Sequence, residues 1–129
     1  MANIRTLKVT ARQAAFAVVG TGLANISIYD AVHSTQTMDA ANVQLTISDI
    51  AYDVGNAANI TRDGNLIFAC NSGAGELNLT DDMGVVLNDK QNANVTVNLG
   101  AAEGTMIIQF TKGTGYNDQD RQNQGPGSL

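Results

Sequence analysis

The chain has 129 residues, 43% of them apolar, with a formal charge of −5 at pH 7 and a pI near 4.4. That length suits a single domain able to bury a core without staples, and the acidic balance excludes a surface built to neutralise phosphates, so neither DNA nor RNA is an expected direct partner. One cysteine and one histidine exclude an intrachain disulfide and a zinc-type Cys/His cluster, and no run approaches the roughly 18 apolar residues that a bilayer span needs.

From the N-terminus, residues 4–10 read as a first strand, and residues 13–19 as a second whose continuous apolar character predicts burial on both faces. Arg5, Lys8 and Arg12 ahead of Ala14–Val19 imitate a signal peptide, but Gly20-Thr21-Gly22 cuts the apolar run short. Residues 25–32 predict another strand and polar residues 33–40 a loop. Val43, Leu45 and Ile47 alternate with Gln44, Thr46 and Ser48, the pattern of a half-buried strand. The stretch 49–58 is the one place with room for a helical turn, kept short by its Gly and Asn residues.

Asp63-Gly64, set between Ile60-Thr61-Arg62 and Asn65-Leu66-Ile67-Phe68, predicts a two-residue type I′ hairpin turn, because both central positions need positive φ. Gly73-Ala74-Gly75 and Gly113-Thr114-Gly115 read as loops. Leu77, Leu79 and then Val85-Val86-Leu87 flank a turn at Asp81-Asp82-Met83-Gly84. Val95, Val97 and Leu99 alternate as a strand, and residues 105–110 predict the final one. Residues 113–129 turn to Gly, Asn, Gln and Asp with the sole proline, Pro126, and cannot bury enough apolar surface to offset their ordering entropy. The expected organisation is a β domain over 1–112 and a flexible polar arm over 113–129.

One triplet, Ala-Asn-Ile/Val, begins at positions 2, 24, 41, 58 and 93, where random order would give about 0.3 copies. Each copy opens a β-prone stretch, so it reads as a recurrent entry into a strand. The spacing of 17 between positions 24, 41 and 58 accommodates two strands and a turn, which predicts an all-β, antiparallel sandwich or barrel of jelly-roll type. A β-solenoid with one coil per repeat is the alternative.

Reactive groups are sparse. Cys70 ends the apolar run Leu66–Ala69 and reads as a buried, inert thiol. His33 has no sequence-level partner, so hydrolysis by His33 with a remote carboxylate is the weakest of the functional readings. Asp81-Asp82 read as turn residues. Asp118-Gln119-Asp120 departs from a calcium loop, with Asn123 where glycine is needed and no closing Glu. Sequons at Asn25, Asn59, Asn78 and Asn94 arise from the strand-entry pattern. No catalytic, cofactor-binding or metal-binding residue is assigned, and no enzymatic activity is expected.

A short chain opening Met-Ala-Asn, with Asn-, Thr- and Gly-rich strands and a loose polar end, resembles the small β-rich virion proteins of tailed bacteriophages, the capsid decoration (cement) proteins and head or tail accessory subunits. The resemblance covers the whole length. It implies a non-enzymatic virion component that binds the major capsid protein or other virion proteins from outside the lattice, often as a homotrimer, with residues 1–12 and 113–129 reaching to neighbours. The other expectation is a tail or head accessory subunit acting as a sugar- or receptor-binding module through loops 33–40, 71–76 and 111–117. Neither reading involves a membrane.

Overall fold

The computed structural model describes residues 2–78 and 92–118. Among them are eleven strands, β1 (Asn3–Val9), β2 (Gln13–Gly20), β3 (Leu23–Ile26), β4 (Gln36–Met38), β5 (Leu45–Val54), β6 (Ala58–Arg62), β7 (Asn65–Cys70), β8 (Gly73–Asn78), β9 (Val95–Asn98), β10 (Gly104–Lys112) and β11 (Tyr116–Asp118). A 3₁₀ turn at Ile28–Ala31 completes the described secondary structure.

Strand pairing is nested. β6 pairs with β7, β5 with β8, β3 with β9 and β2 with β10, all antiparallel. The chain is therefore one long double ribbon, folded back at Asp63-Gly64 and then rolled up. Rolling sets β10 beside β5 and β6 beside β9, giving a five-stranded sheet β1-β2-β10-β5-β8, a four-stranded sheet β3-β9-β6-β7 and a small β4-β11 ribbon. This is a jelly roll. Its antiparallel pairs replace the solenoid alternative, in which successive coils would stack parallel strands.

At the tip of the ribbon, Arg62 faces Asn65 across a two-residue loop, with φ of 52° at Asp63 and 78° at Gly64. That is the expected type I′ geometry. The recurrent triplet is not a uniform strand entry: the copy at 24–26 ends β3, and only Ala24 and Ala58 among its alanines are buried, but its last position is consistently turned towards the core. Its third residue is buried in four copies, Ile26, Val43, Ile60 and Val95, and half-buried in Ile4. Between the two main sheets these residues join Phe16, Val18, Leu45, Ile47, Ile50, Met106, Ile108 and Phe110 in one core. Phe16 and Phe110 meet edge to face, with centroids 6.0 Å apart and planes at 65°. Each such side chain contributes on the order of 1.5–3 kcal/mol by leaving water.

Several expectations need correction. Residues 49–54 are not a helical turn but the second half of β5. Opposite Gln109 and Phe110, β5 places Asp49 and Ile47, so Ser48 is the extra residue of a β-bulge, and its hydroxyl donates to the Gln109 carbonyl at 3.1 Å. The bulge reverses the alternation, so the inward residues run Leu45, Ile47, then Ile50 and Val54. The expected strand over 25–32 stops at Ile26, where Ser27 caps the 3₁₀ turn, accepting from Tyr29 N at 3.1 Å while Asp30 accepts from Ser27 N at 2.9 Å. Gly73-Ala74-Gly75 is the start of β8, not a loop. Gly75 faces Tyr52 across the sheet, and any Cβ there would collide with the tyrosine hydroxyl.

Both expected arms belong in part to the body. Residues 3–9 form the edge strand β1, hydrogen-bonded along β2 from Asn3 opposite Val19 to Val9 opposite Ala14. Residues 116–118 pair with β4 inside the expected loop 33–40, so 105–110 is not the last strand. Tyr116 anchors this ribbon, buried with its hydroxyl donating to the Ile28 carbonyl at 2.8 Å. The expected turn at 81–84, the strand at 85–87 and the rest of the arm, 119–129, lie outside the described residues.

Candidate functional site

Two buried cations sit where the strand alternation puts them, at the inward positions that end β10 and β6. Lys112 continues the series Met106, Ile108, Phe110 and is 7% exposed, while Arg62 continues Ala58, Ile60 and is 1% exposed. The Lys112 ammonium donates to the carbonyls of Thr10 (2.7 Å) and Ala31 and to Oε1 of Gln36, and lies 4.9 Å from the centre of the Tyr116 ring. Gln36 in turn donates to the Ala11 carbonyl at 2.8 Å. This knot ties the β1–β2 turn, the 3₁₀ turn, β4, β10 and β11 together, and its groups are spent on one another. Its role is structural.

Burial pushes the Lys112 ammonium down to about 8 and the Arg62 guanidinium down to about 10, the latter opposed by neighbouring Tyr116. Arg62 Nε donates to the Ala93 carbonyl at 3.0 Å. The Tyr116 phenol is pushed above its ordinary value by burial, with Arg62 acting the other way. Sequence reasoning passed over all three residues. The signal was present in the phase of the strands, since each cation falls two residues beyond a buried apolar side chain.

His33 is engaged locally. Its Nδ1 accepts from Thr35 N at 3.2 Å and lies 2.8 Å from Thr35 Oγ1. Cys70, expected to be buried, is half-buried opposite Ala58 at the far end of β7, and partial desolvation raises its thiol above the usual range, partly offset by a backbone hydrogen bond from Ala58. No three His, Cys, Asp or Glu side chains converge among the described residues. Nor is there a helix among them long and apolar enough to cross a membrane. Of the three loops considered for sugar binding, 33–40 and 111–117 come together through β4 and β11. The segment 71–76 does not join them, because Gly73 opposes Val54 at one end of β5 and Lys112 opposes Leu45 at the other, roughly 30 Å away along a ten-residue strand.

The surface of most consequence is the outer face of the five-stranded sheet. Its side chains follow from register in three rows crossing β1, β2, β10, β5 and β8: Asn3, Val19, Thr105, Asp53, Ala74; then Arg5, Ala17, Ile107, Ala51, Glu76; then Lys8, Ala15, Gln109, Asp49, Asn78. The centre is low and weakly polar: Ala15 and Ala17 are buried beneath their neighbours, as the continuous apolar run predicts, Ala51 is half-buried, and Val19 (45%) and Ile107 (38%) are exposed. Charge is confined to the flanks, cationic on β1 and anionic on β5 and β8. A shallow depression of about 290 Å³ on the anionic side is lined by Asp49, Ala51, Glu76, Ile107 and Gln109.

By its strand order the chain is a jelly-roll β-sandwich. No protein-family model matches it, and no curated protein does. Among solved structures it is similar to a cupin superfamily protein from Desulfitobacterium hafniense DCB-2, at 12% identity over 86% of this chain and 76% of that one, TM-score 0.37. It is also similar to an RmlC-like cupin family protein with a double-stranded β-helix fold from Methanocaldococcus jannaschii, at 7% identity over 95% of this chain and 86% of that one, TM-score 0.38.

Proposed function

We propose that this chain is a non-enzymatic structural subunit of a virion, a capsid decoration protein that binds and stabilises a phage head. The observation supporting an assembly role is the outer face of the five-stranded sheet, a mixed surface where Val19 and Ile107 are the exposed large apolar side chains, with cations on β1 and anions on β5 and β8. Such a face suits another protein surface better than a small molecule, which needs a deep concave site. A subunit that binds only the assembled lattice stabilises it by its binding free energy, and many symmetry-related copies multiply a modest contact. Adding purified protein to bare capsid-like shells tests this reading. Saturable binding and a raised disruption temperature are expected, and shells left unchanged would overturn it.

A second reading, a sugar- or receptor-binding accessory subunit, is favoured by Tyr29. The residue is 64% exposed, next to Ile28, whose carbonyl holds Tyr116 of the β4–β11 ribbon. An aromatic face beside two loops is a common sugar platform. Saturable binding on a glycan array, lost in Tyr29→Ala, would favour this module over decoration.

A further inference from the structure

We infer that two copies of this chain stack on the outer faces of their five-stranded sheets, about a two-fold axis parallel to β10, so that Arg5 of each copy meets Glu76 of the other. This inference rests on the reading of that face as an assembly surface and gives the face to a second copy, so that in the dimer the lattice contact of the decoration reading falls to another part of the molecule. The middle row, Arg5, Ala17, Ile107, Ala51, Glu76, is symmetric in size about Ile107 and antisymmetric in charge. Strands stand about 4.8 Å apart, so both charges lie about 10 Å from Ile107 on opposite sides.

Turning one copy about an axis along β10 exchanges the two flanks. Ile107 then meets its own counterpart, Ala17 meets Ala51, and each arginine faces a glutamate. Of the neighbouring rows, one brings Lys8 to Asn78, beside Asp49, and the other carries no cation and brings Val19 to Asp53, so the match in sign rests on Arg5 and Lys8 against Glu76 and Asp49. The depression beside Asp49 and Glu76 lies where the partner's β1 cations would arrive. Turning instead about an axis across the strands would lay cation on cation and anion on anion. The charge pattern therefore selects one orientation.

A face-to-face contact of identical surfaces is isologous and closes as a dimer, so this face cannot by itself build a three-fold ring. Five strands wide and about seven residues long, it would bury roughly 550 Å² per copy, or about 1,100 Å² in all, just under the range of stable interfaces and the size of a weak, reversible contact. Two sheets related in this way keep their central strands parallel, within the range of about 30° that aligned sheet packing allows.

Sedimentation of the purified full chain over a concentration series, without shells, tests the pairing. A reversible dimer is expected at low salt, weakened by added salt. Arg5→Glu and Glu76→Arg should each weaken it about tenfold or more, and the double variant should restore it. Both substitutions are on exposed side chains, and an unchanged circular dichroism spectrum confirms that they leave the fold intact. A monomer at every concentration, a trimer, or a dimer indifferent to the charge exchange would overturn the pairing. Lattice binding is read separately on shells, so the failure of one proposal is distinct from the failure of the other.

Discussion

At the scale of single residues, buried Lys112 couples stability to pH. An unfolded lysine keeps its proton to about 10.4, whereas folded Lys112 releases it at about 8. Between those values the unfolded chain binds more protons, so stability rises as pH climbs through that window. Urea midpoints measured on either side of pH 8 should show the rise, and Lys112→Met should abolish it. Below pH 8 the same variant should cost roughly 2–4 kcal/mol, since Thr10 O, Ala31 O and Gln36 Oε1 lose their shared donor. At the ribbon tip, Gly64→Val places a β-branched residue at a φ of 78°, a strain of about 1–3 kcal/mol to be read as a lowered melting temperature. The turn at Asp63-Gly64 was legible from its two residues alone. The burial of Lys112 was legible only to a reader who extended the inward series past Phe110, because lysine is seldom found inside.

Among elements, β5 explains best where pattern reading stops. Leu45 and Ile47 announce a strand, and Ile50 and Val54 continue it in the opposite phase, so a search for strict alternation loses the strand at Ser48. A bulge adds one residue to one strand only. Removing Ser48 should therefore keep every core residue of β5 inward, leaving a cooperative thermal transition with a modestly lowered midpoint. Inserting a serine after Ile50 should instead turn Val54 outward and abolish the transition. The β4–β11 ribbon was illegible for another reason. Gln36–Met38 and Tyr116–Asp118 are three residues each, too short for periodicity, and they become strands only by meeting. A chain ended at Lys112 should melt below one ended at Asp118, because it loses Tyr116, its hydrogen bond to Ile28 and its ring beside Lys112.

Across the whole molecule, nested pairing places residues far apart in sequence on one face. Arg5 and Glu76 are 71 residues apart in the chain, yet both belong to the row centred on Ile107. Neither the flank charges nor the small residues between them stand out in the linear sequence, where Ala15 and Ala17 read merely as parts of an apolar strand. Their outward position follows from the core taking Ala14, Phe16 and Val18. At this scale the expected outcome is a salt-sensitive dimer in solution, with the charge-exchange pair as its check.

By itself, the order of residues determined the all-β class, the ribbon tip and most strand positions, because alternation and turn chemistry act over a few neighbouring residues. Tertiary structure alone decided the nesting of the strands, the bulge that reverses β5, the capture of Gly113–Asp118 by the body and the composition of the outer face. Those features depend on which distant segments meet as the core leaves water, and no short window of sequence contains both partners.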